Sequence, residues 1–498
     1  MKILFISVIS VLFVLLACNS KPEQLKQTQT KPNIVFIIGD DIGCYDLTVY
    51  GNKNIKTPNI DHIAQKGMVF NNMYLTASSC SPSRVSIITG RYPHNTGACE
   101  LHSPLPANQL LFPEILRKNG YYTAQAGKWH FGSIPQKQNN DTIGLGPALR
   151  AFDRISVSHK ENGDGGEAMW IKLLQERPKN KPFFMWFAAY DAHRPWEKAN
   201  AFQLNCPDSV WVPGFLFNGD STRYDLAKYY NEISRFDYYI GLVEQELIKQ
   251  GVAGNTIIII TSDNGRPFPR SKTRVYDSGI KTPFIIKYPK LIKEKQQTTA
   301  LASIIDLAPT LINLAGIDVP AEFQGKSFAE ILQQPDSEHR TYIYAEHNWH
   351  DYEAYERMVR TKDFMYIINK RPWFDMLGPA DAVVSLSMHE LYRAHEEKKL
   401  NDYQKNIFLK PRPKKEFFNC AKDKFQYYNR INDTTYLKQI TCLQAAIAEW
   451  QETTNDTEPV HLTPDHFDRK TGARLFKGFK WGEMPGKKLR ADTVKYKI

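Results

Sequence analysis

The sequence lacks several features that would assign it to a class at once. After Leu16 it has no apolar run long enough to cross a membrane, no internal repeat and no strongly biased segment. It has no zinc-finger spacing, no basic region followed by heptads and no RNA-binding signature. These absences argue against a membrane-spanning body, a repeat protein and a nucleic-acid-binding module.

The charges are not concentrated in one block either. The 64 Lys and Arg residues exceed the 53 Asp and Glu residues, which leaves a net charge of +11, but apart from short runs such as residues 410–415 they are scattered. A basic surface favours polyanionic partners, and without nucleic-acid motifs a polyanionic carbohydrate is at least as good a candidate. The 498 residues, 42% of them hydrophobic, suit a globular chain of one to three domains.

The N-terminus has the pattern of an exported protein. Met1 and Lys2 precede the apolar run 3–16, which predicts a signal peptide over residues 1–17. The segment LLAC ending at Cys18 resembles a bacterial lipobox, which implies a lipid on Cys18 and a tether over residues 18–31. A plain signal peptide with an incidental cysteine is the alternative. We expect an envelope protein, anchored in the outer membrane and facing the periplasm.

Short apolar runs alternate with helix-like stretches through the first two thirds of the chain. The runs are 33–38, 121–126, 183–190, 256–261 and 283–288, and the helical stretches are 58–67, 112–120, 224–251 and 303–315. This alternation predicts an α/β fold around a mostly parallel sheet, with ligands beyond the carboxyl ends of the strands. After about residue 325 the pattern changes, with a turn and a strand expected over 357–369. We therefore predict a catalytic domain over 32–325 and a smaller C-terminal α+β domain over 326–498.

Polar clusters follow two of these runs. Asp40 and Asp41 come directly after the first run, and Asp263 and Asn264 come after the run at 256–261. If the two strands are neighbours in a parallel sheet, the four side chains meet. Hard oxygen donors of this kind suit Ca²⁺ or Mg²⁺ rather than zinc.

Four further segments carry candidate catalytic groups. The segment SSCSPSR at 78–84 places Cys80 at the start of a predicted helix, and GKWH at 127–130 follows the second run. DAHRP at 191–195 contains His193, and SKTRVY at 271–276 contains Lys272. A structural cysteine before a Pro-initiated helix, and solvated His and Lys residues, would be the ordinary interpretation of each segment alone.

Taken together, the motifs resemble those of the formylglycine-dependent type I sulfatases, a family of the alkaline phosphatase superfamily. The resemblance extends over residues 32 to 320 and implies an alkaline-phosphatase-like sheet flanked by helices. SSCSPSR at 78–84 and SDNGRPFP at 262–269 most resemble the sulfamidase-like branch, the N-sulfoglucosamine sulfohydrolases. One departure is Lys272, where that branch has Arg; the charge is kept but the guanidinium fork is lost.

The resemblance implies a modified residue and a metal ion. Cys80 is expected to be oxidised to formylglycine (3-oxoalanine) by a formylglycine-generating or sulfatase-maturating enzyme. One Ca²⁺ is expected, with the ligands Asp40, Asp41, Cys80 as formylglycine, Asp263 and Asn264. The hydrated aldehyde then attacks sulfur, and sulfate leaves as the aldehyde returns.

The resemblance also implies a role for each remaining group. Arg84 favours the alkoxide at position 80, and Lys128 and Lys272 stabilise charge on the sulfuryl oxygens. His193 protonates the leaving atom, and His130 removes the proton that lets sulfate depart. With Cys18 lipidated and Cys80 modified, an odd number of cysteines remains, of which Cys420 and Cys442 are the most plausible local pair.

The substrate is less closely defined by the sequence. His347 and His350, in the segment EHNWH at 346–350, are candidates for contacting a sugar, although a polar loop around a packed Trp is equally consistent. We expect sulfate esters on oligosaccharides from a sulfated algal polysaccharide such as ulvan. The alternatives are an N-sulfoglucosamine or other glycosaminoglycan sulfatase, a phosphonate or phosphodiester hydrolase, and an inactive glycan-binding lipoprotein.

Overall fold

The computed structural model describes residues 31–131, 136–138, 141–143, 148–157, 166–196, 204–375 and 377–486. The predicted signal peptide, the lipid site Cys18 and the tether as far as residue 30 lie outside the described residues. Among the described residues, no helix combines the length and apolarity needed to span a bilayer.

The strands alternate with helices along most of the chain, as the sequence predicts. In chain order the described strands are β1 (Asn33–Gly39), β2 (Met68–Phe70), β3 (Met73–Tyr74), β4 (Tyr122–Gly127), β5 (Gln136–Gln138), β6 (Asp141–Ile143), β7 (Arg154–Val157), β8 (Phe183–Ala188), β9 (Thr256–Ser262), β10 (Phe284–Lys287), β11 (Gln296–Thr298), β12 (Ala302–Ser303), β13 (Ile343–His347), β14 (Glu356–Arg360), β15 (Phe364–Asn369) and β16 (Lys415–Asn419).

The helices range from single turns to one of eight turns. The described α-helices are α1 (Pro58–Gln65), α2 (Cys80–Thr89), α3 (Phe112–Lys118), α4 (Ala148–Ala151), α5 (Trp170–Glu176), α6 (Asp220–Lys249), α7 (Asp277–Ile280), α8 (Leu307–Leu314), α9 (Ala380–Val383), α10 (Leu386–Glu396), α11 (Asp402–Lys405) and α12 (Leu437–Thr453).

The main sheet has eight strands in the order β11-β2-β10-β9-β1-β8-β4-β7. Strands β9, β1, β8, β4 and β7 are parallel, whereas β10 runs antiparallel to both β9 and β2. The mostly parallel sheet is therefore confirmed. The register aligns the carboxyl ends of the four central strands, because Gly39 pairs with Ser262 and Ala188 pairs with both Ile38 and Gly127.

Both faces of this sheet are buried, which explains the continuous apolar runs. In β1, the side chains of Ile34, Phe36 and Ile38 belong to one core cluster, and those of Val35 and Ile37 belong to the other. Helices α2, α3 and α8 contribute to the first cluster, and α1, α5 and α6 to the second. Because side chains alternate across a strand, an all-apolar sequence is what a sheet covered on both faces requires.

A separate antiparallel sheet lies in the C-terminal third, as predicted, with the order β13-β14-β15-β16. The expectation of a turn and one strand over 357–369 is wrong in detail, since β14 and β15 form a hairpin there. The backbone N–H of Glu346 in β13 donates to Thr76 O at 2.9 Å, next to the segment that leads into α2. That contact attaches the second sheet to the segment of chain between β3 and α2.

The predicted Cys420–Cys442 disulfide is wrong, because both residues are free cysteines. Cys420 is buried after β16, while Cys442 is exposed on α12. The helical period turns Ile440, Leu443 and Ile447 toward the core under the second sheet and leaves residue 442 outside. The described residues from Pro32 onward form one compact unit, and a domain boundary near 325 stays a prediction.

Candidate active site

Five side chains converge beyond the carboxyl ends of β1 and β9. Asp40 and Asp41 follow β1, Asp263 and Asn264 follow β9, and Cys80 begins α2. Ligand atoms of Asp40, Asp41, Cys80 and Asp263 all lie within 4.8 Å of one another, and all four residues are buried. Asn264 donates to Asp41 Oδ1 through its Nδ2, while its own buried Oδ1 has no hydrogen-bond partner in the described chain.

The electrostatics of the cluster indicate that it needs a cation. Burial raises the pKa of Asp41 to about 6 although Lys272 opposes the shift, and burial raises the pKa of Asp263 to about 6 against Arg84. Burial also raises the pKa of Asp40, but Lys128, His193 and Arg84 outweigh it and hold that pKa well below its ordinary value. Three buried carboxylates with an amide oxygen left unpaired are a hard-oxygen donor set, which fits Ca²⁺.

Cys80 occupies the first position of α2, where the sequence placed it. Its Sγ lies 3.5 Å from Asp40 Oδ1 and 3.9 Å from Asp41 Oδ1. Burial raises the pKa of the thiol well above its ordinary value. An unmodified Cys80 is therefore held as a neutral thiol, which is a weak nucleophile.

Three cations surround these acids. Arg84, one turn into α2, donates from Nε to Asp263 Oδ2 at 2.7 Å. Lys128 pairs with Asp40, and Lys272 Nζ lies 2.8 Å from Asp41 Oδ2. Each cation is thus tied to a different carboxylate of the cluster. The neighbouring acids, Asp40 for Lys128 and Asp41 for Lys272, raise the pKa of both lysines despite burial, so both stay charged.

The two catalytic histidine candidates occupy different surroundings. His193 Nε2 lies 3.9 Å from Asp41 Oδ2 and 3.9 Å from Asp381 Oδ2, and its side chain is 28% exposed. Burial, with Lys272 beside it, lowers the pKa of His193 to about 3. His130 shares a hydrogen bond of 2.9 Å between its Nε2 and His102 Nδ1. Burial and Lys128 lower the pKa of His130 well below its ordinary value, so both rings are neutral.

Two polar groups at the site were missed by sequence reasoning. His102 lies in a loop without a motif, and its backbone N–H donates to Ser81 Oγ at 2.8 Å. Asp381 lies far along the chain from His193, and both of its carboxylate oxygens are buried without a hydrogen-bond partner in the described chain. Neither has a local sequence signal, because only the fold brings them to the site.

A narrow cleft, with a cavity volume of about 20 Å³, lies beside this cluster. His347 and His350 both line it, together with Thr273 and Arg274. His350 Nδ1 lies 2.7 Å from the hydroxyl of Ser79, the residue before Cys80. The structure therefore places both sugar-contact candidates on the cleft, and it places His350 next to residue 80.

The assembled site presents fixed positive charge beside a buried side chain at position 80. Lys128 and Lys272 can hold a tetrahedral anion, the acidic cluster can hold a divalent cation, and the partly exposed ring of His193 lies 3.9 Å from Asp41 Oδ2. This arrangement suits the displacement of a group from an anionic ester.

Comparisons with known proteins find related sequences over most of the chain. The family described as Sulfatase matches residues 32–317, and the description "N-sulphoglucosamine sulphohydrolase, C-terminal" matches residues 270–375. An ulvan-active sulfatase of Formosa agariphila is 29% identical, over 90% of this chain and 81% of its own. Human N-sulphoglucosamine sulphohydrolase is 27% identical, over 92% of this chain and 95% of its own.

A solved structure shares the fold. That structure contains a protein in complex with its substrate D-glucosamine-2-N,6-O-disulfate. Its sequence is 22% identical to this chain, and the two structures superpose with a TM-score of 0.64. The match covers 85% of this chain and 98% of that one.

Proposed function

The chain belongs to the sulfatase family, and we propose that it hydrolyses sulfate esters on saccharides of a sulfated polysaccharide, using a formylglycine made from Cys80 and one Ca²⁺. The observation that carries this proposal is the buried cluster in which ligand atoms of Asp40, Asp41, Cys80 and Asp263 lie within 4.8 Å of one another. Asn264, with its unpaired Oδ1, completes the proposed ligand set.

The cation would supply positive charge that lowers the free energy of an oxyanion at position 80. Arg84 would add to this field from α2, where it is held by Asp263. Lys128 and Lys272, both charged, would bind the oxygens of the substrate sulfate and stabilise the charge that develops there as the S–O bond breaks.

His193, which is neutral in the free site, would give a proton to the leaving oxygen, because the negative charge of a bound sulfate favours the protonated ring and a leaving alkoxide needs that proton. His130 would accept the proton of the hydroxyl at position 80 whose loss expels sulfate. The 2.9 Å contact with His102 would keep the His130 ring oriented for this step. The sum of the reaction is one water consumed, one sulfate released and one sugar hydroxyl formed.

An algal polysaccharide such as ulvan is the substrate source we favour. A relative with this activity in its name is 29% identical over most of both chains. Lys272 supports an O-sulfate, because an ammonium group lacks the fork of the arginine found in the sulfamidase-like branch.

N-sulfoglucosamine hydrolysis is the second candidate. The match of residues 270–375 to the C-terminal part of N-sulphoglucosamine sulphohydrolases favours it. That stretch includes Lys272, His347 and His350, the residues proposed to contact substrate.

The setting of the enzyme is part of the proposal. We propose export, a lipid on Cys18 and an outer-membrane position facing the periplasm, supported by the LLAC segment and its short tether. Maturation requires a formylglycine-generating or sulfatase-maturating enzyme as a partner. The other partners proposed are the sulfated oligosaccharide and the membrane.

The test is sulfate release by protein whose Cys80 is fully converted, as established by mass spectrometry after co-expression with a formylglycine-generating enzyme. The panel contains ulvan and carrageenan oligosaccharides, heparan disaccharides with O- or N-sulfate, and an aryl sulfate. We expect release from an ulvan oligosaccharide that stops when calcium is chelated. The Cys80→Ala variant should release nothing while melting normally, and Cys206→Ala, which changes an exposed cysteine, should match the wild type.

Each alternative has its own outcome. Release only from N-sulfoglucosamine would make the enzyme an N-sulfatase. Release that persists in Cys80→Ala would refute the formylglycine assignment. No release from any substrate by converted protein would refute the proposed function.

A further inference from the structure

The cleft beside the cluster is lined by charged side chains of both signs, and its acidic members are Glu353, Glu356 and Asp375. Four arginines line it, in addition to His347 and His350. Three of the four have a carboxylate oxygen within hydrogen-bond distance. These pairs are Arg371–Glu353 at 2.7 Å, Arg412–Glu356 at 2.5 Å and Arg469–Asp465 at 2.6 Å.

Arg274 is the exception. Its side chain is 8% exposed, and the nearest carboxylate oxygen, Glu356 Oε1, is 3.7 Å from its NH1. The same oxygen already accepts from Arg412 at 2.5 Å. The Nε of Arg274 is buried and has no hydrogen-bond partner in the part of the chain that the structure describes. A buried guanidinium with unfilled donors is costly unless a ligand fills them.

The two arginines that share Glu356 differ in their electrostatics. Burial lowers the pKa of Arg274 to about 10, and the distant Glu356 does not offset it. For Arg412, burial acts in the same direction, but Glu356 outweighs it and the pKa is raised. The charge of Arg412 is thus compensated within the protein, whereas that of Arg274 is compensated only in part, by the longer ion pair with Glu356.

The backbone directs Arg274 to a different place from Lys272. Between them, Thr273 has a φ of +67°, a left-handed conformation that is unusual for a β-branched residue. Lys272 reaches back to Asp41, whereas Arg274 lines the cleft. Strained residues of this kind are often found at ligand-binding segments. His347, which is only 5% exposed, lines the cleft together with Arg274, and its ring can donate a hydrogen bond.

We propose that Arg274, assisted by His347, binds a second anionic group of the substrate, so that the preferred saccharide carries a carboxylate or another sulfate beyond the sulfate that is cleaved. This inference rests on the proposed function. A guanidinium binds a carboxylate or a sulfate through two parallel N–H···O bonds, which gives it selectivity over a neutral sugar. Arg274 is thereby a specificity-determining residue, and the substrate class is a saccharide with at least two negative charges.

The test measures binding, so that it does not depend on turnover. Calorimetry would compare the Cys80→Ala protein with the Cys80→Ala/Arg274→Gln protein, both with calcium. The probes are an ulvan oligosaccharide, the same oligosaccharide after reduction of its uronic carboxyls to alcohols, and D-glucosamine carrying one or two sulfates. We expect Arg274→Gln to weaken binding of the doubly charged probes by about 10- to 100-fold, the range for a hydrogen-bonded charge. Binding of singly charged probes should change by about twofold or less.

The probes also identify the second anion. If carboxyl reduction weakens binding to the Arg274-containing protein and Arg274→Gln adds nothing further, the group is a carboxylate. If binding is weakened only when the second sulfate is absent from the probe, the second anionic group is a sulfate. Arg274→Lys should restore part of the affinity, and its melting temperature serves as the check on folding. Equal effects of Arg274→Gln on all probes, or none, would overturn the inference, whereas absence of sulfate release by the converted enzyme would overturn only the proposed function.

Discussion

The ammonium group of Lys272 lies 2.8 Å from Asp41 Oδ2, so one side chain links the acidic cluster to the loop after Asn264. Lys272 is 1% exposed, and Asp41 raises its pKa well above the ordinary value even though burial acts against the charge. A lysine in this setting stays protonated at neutral pH. It is therefore a permanent charge for an anionic substrate and not a proton donor that titrates.

Replacing Lys272 tests this role. We expect Lys272→Met to lower kcat/KM for the preferred sulfate by about 10²- to 10³-fold, the usual cost of losing one group that stabilises transition-state charge. Steady-state kinetics on converted enzyme would measure it. Lys118→Met, which changes a lysine with a 67% exposed side chain on α3, is the matched control and should leave kcat/KM unchanged. A loss below about fivefold in Lys272→Met would contradict the assignment.

At the scale of the elements, the end of β4 determines where Lys128 and His130 lie. Gly127 is the last residue of β4 and has a φ of +90°. A Cβ at this position would lie 1.8 Å from Ala188 O of the neighbouring strand. Only glycine allows β4 to approach β8 so closely and then turn toward the cluster.

Gly127→Ala should therefore destabilise the protein more than a matched glycine substitution. Gly120 has a φ of +88° with no atom within 4 Å of its Cβ position, so Gly120→Ala introduces the backbone strain without the clash. We expect Gly127→Ala to cost about 1–3 kcal/mol more, the usual range for overpacking, and to lower the melting temperature accordingly. Thermal unfolding of the two variants side by side would measure this. Equal melting temperatures would contradict this expectation, since they would show that β4 and β8 can move apart without lowering the free energy of unfolding.

For the whole molecule, the acidic cluster couples stability to pH and, with calcium bound as we propose, to that ion. A carboxyl whose pKa is raised from 3.8 to about 6, as in Asp41 and Asp263, stabilises the metal-free fold below pH 4. That contribution disappears as the pH rises through about 6, because the ionised form is the unfavourable one in the folded state. Asp40 behaves in the opposite way: its lowered pKa stabilises the fold at pH values above about 3.8, and this contribution is lost as the pH falls below 3.8.

Binding of calcium should restore the stability that is lost when Asp41 and Asp263 ionise. We expect the rise in melting temperature on adding calcium to chelated protein to be larger at pH 7.5 than at pH 5.0, since protons compete with the cation at the lower pH. At a free calcium concentration of about 100 times Kd the stabilisation is about 2.7 kcal/mol. Differential scanning calorimetry measures it without any activity assay. Sodium chloride at equal ionic strength is the control, and a calcium effect independent of pH would contradict the expectation.

The sequence allowed much of the fold to be predicted. The runs at 33–38 and 256–261 became β1 and β9, and the helical stretch 224–251 became most of α6, because long apolar or periodic segments have few other stable conformations. The hairpin of β14 and β15 was missed, since a three-residue turn between short strands has little signal. The Cys420–Cys442 pair failed because sequence proximity does not reveal which side of α12 faces the core.

For the site, the sequence by itself determined the chemical types, because carboxylates after two strands, a cysteine before SPSR and lysines after strands together favour one kind of chemistry. Only the tertiary structure decided their grouping: parallel pairing of β1 with β9 aligns Gly39 with Ser262, and that register brings the acids together. It alone added His102 and Asp381, which carry no motif, and it alone showed that Arg274 of SKTRVY lines the cleft. Their importance comes from neighbours far away in the chain, and such neighbours exist only once the two sheets are packed.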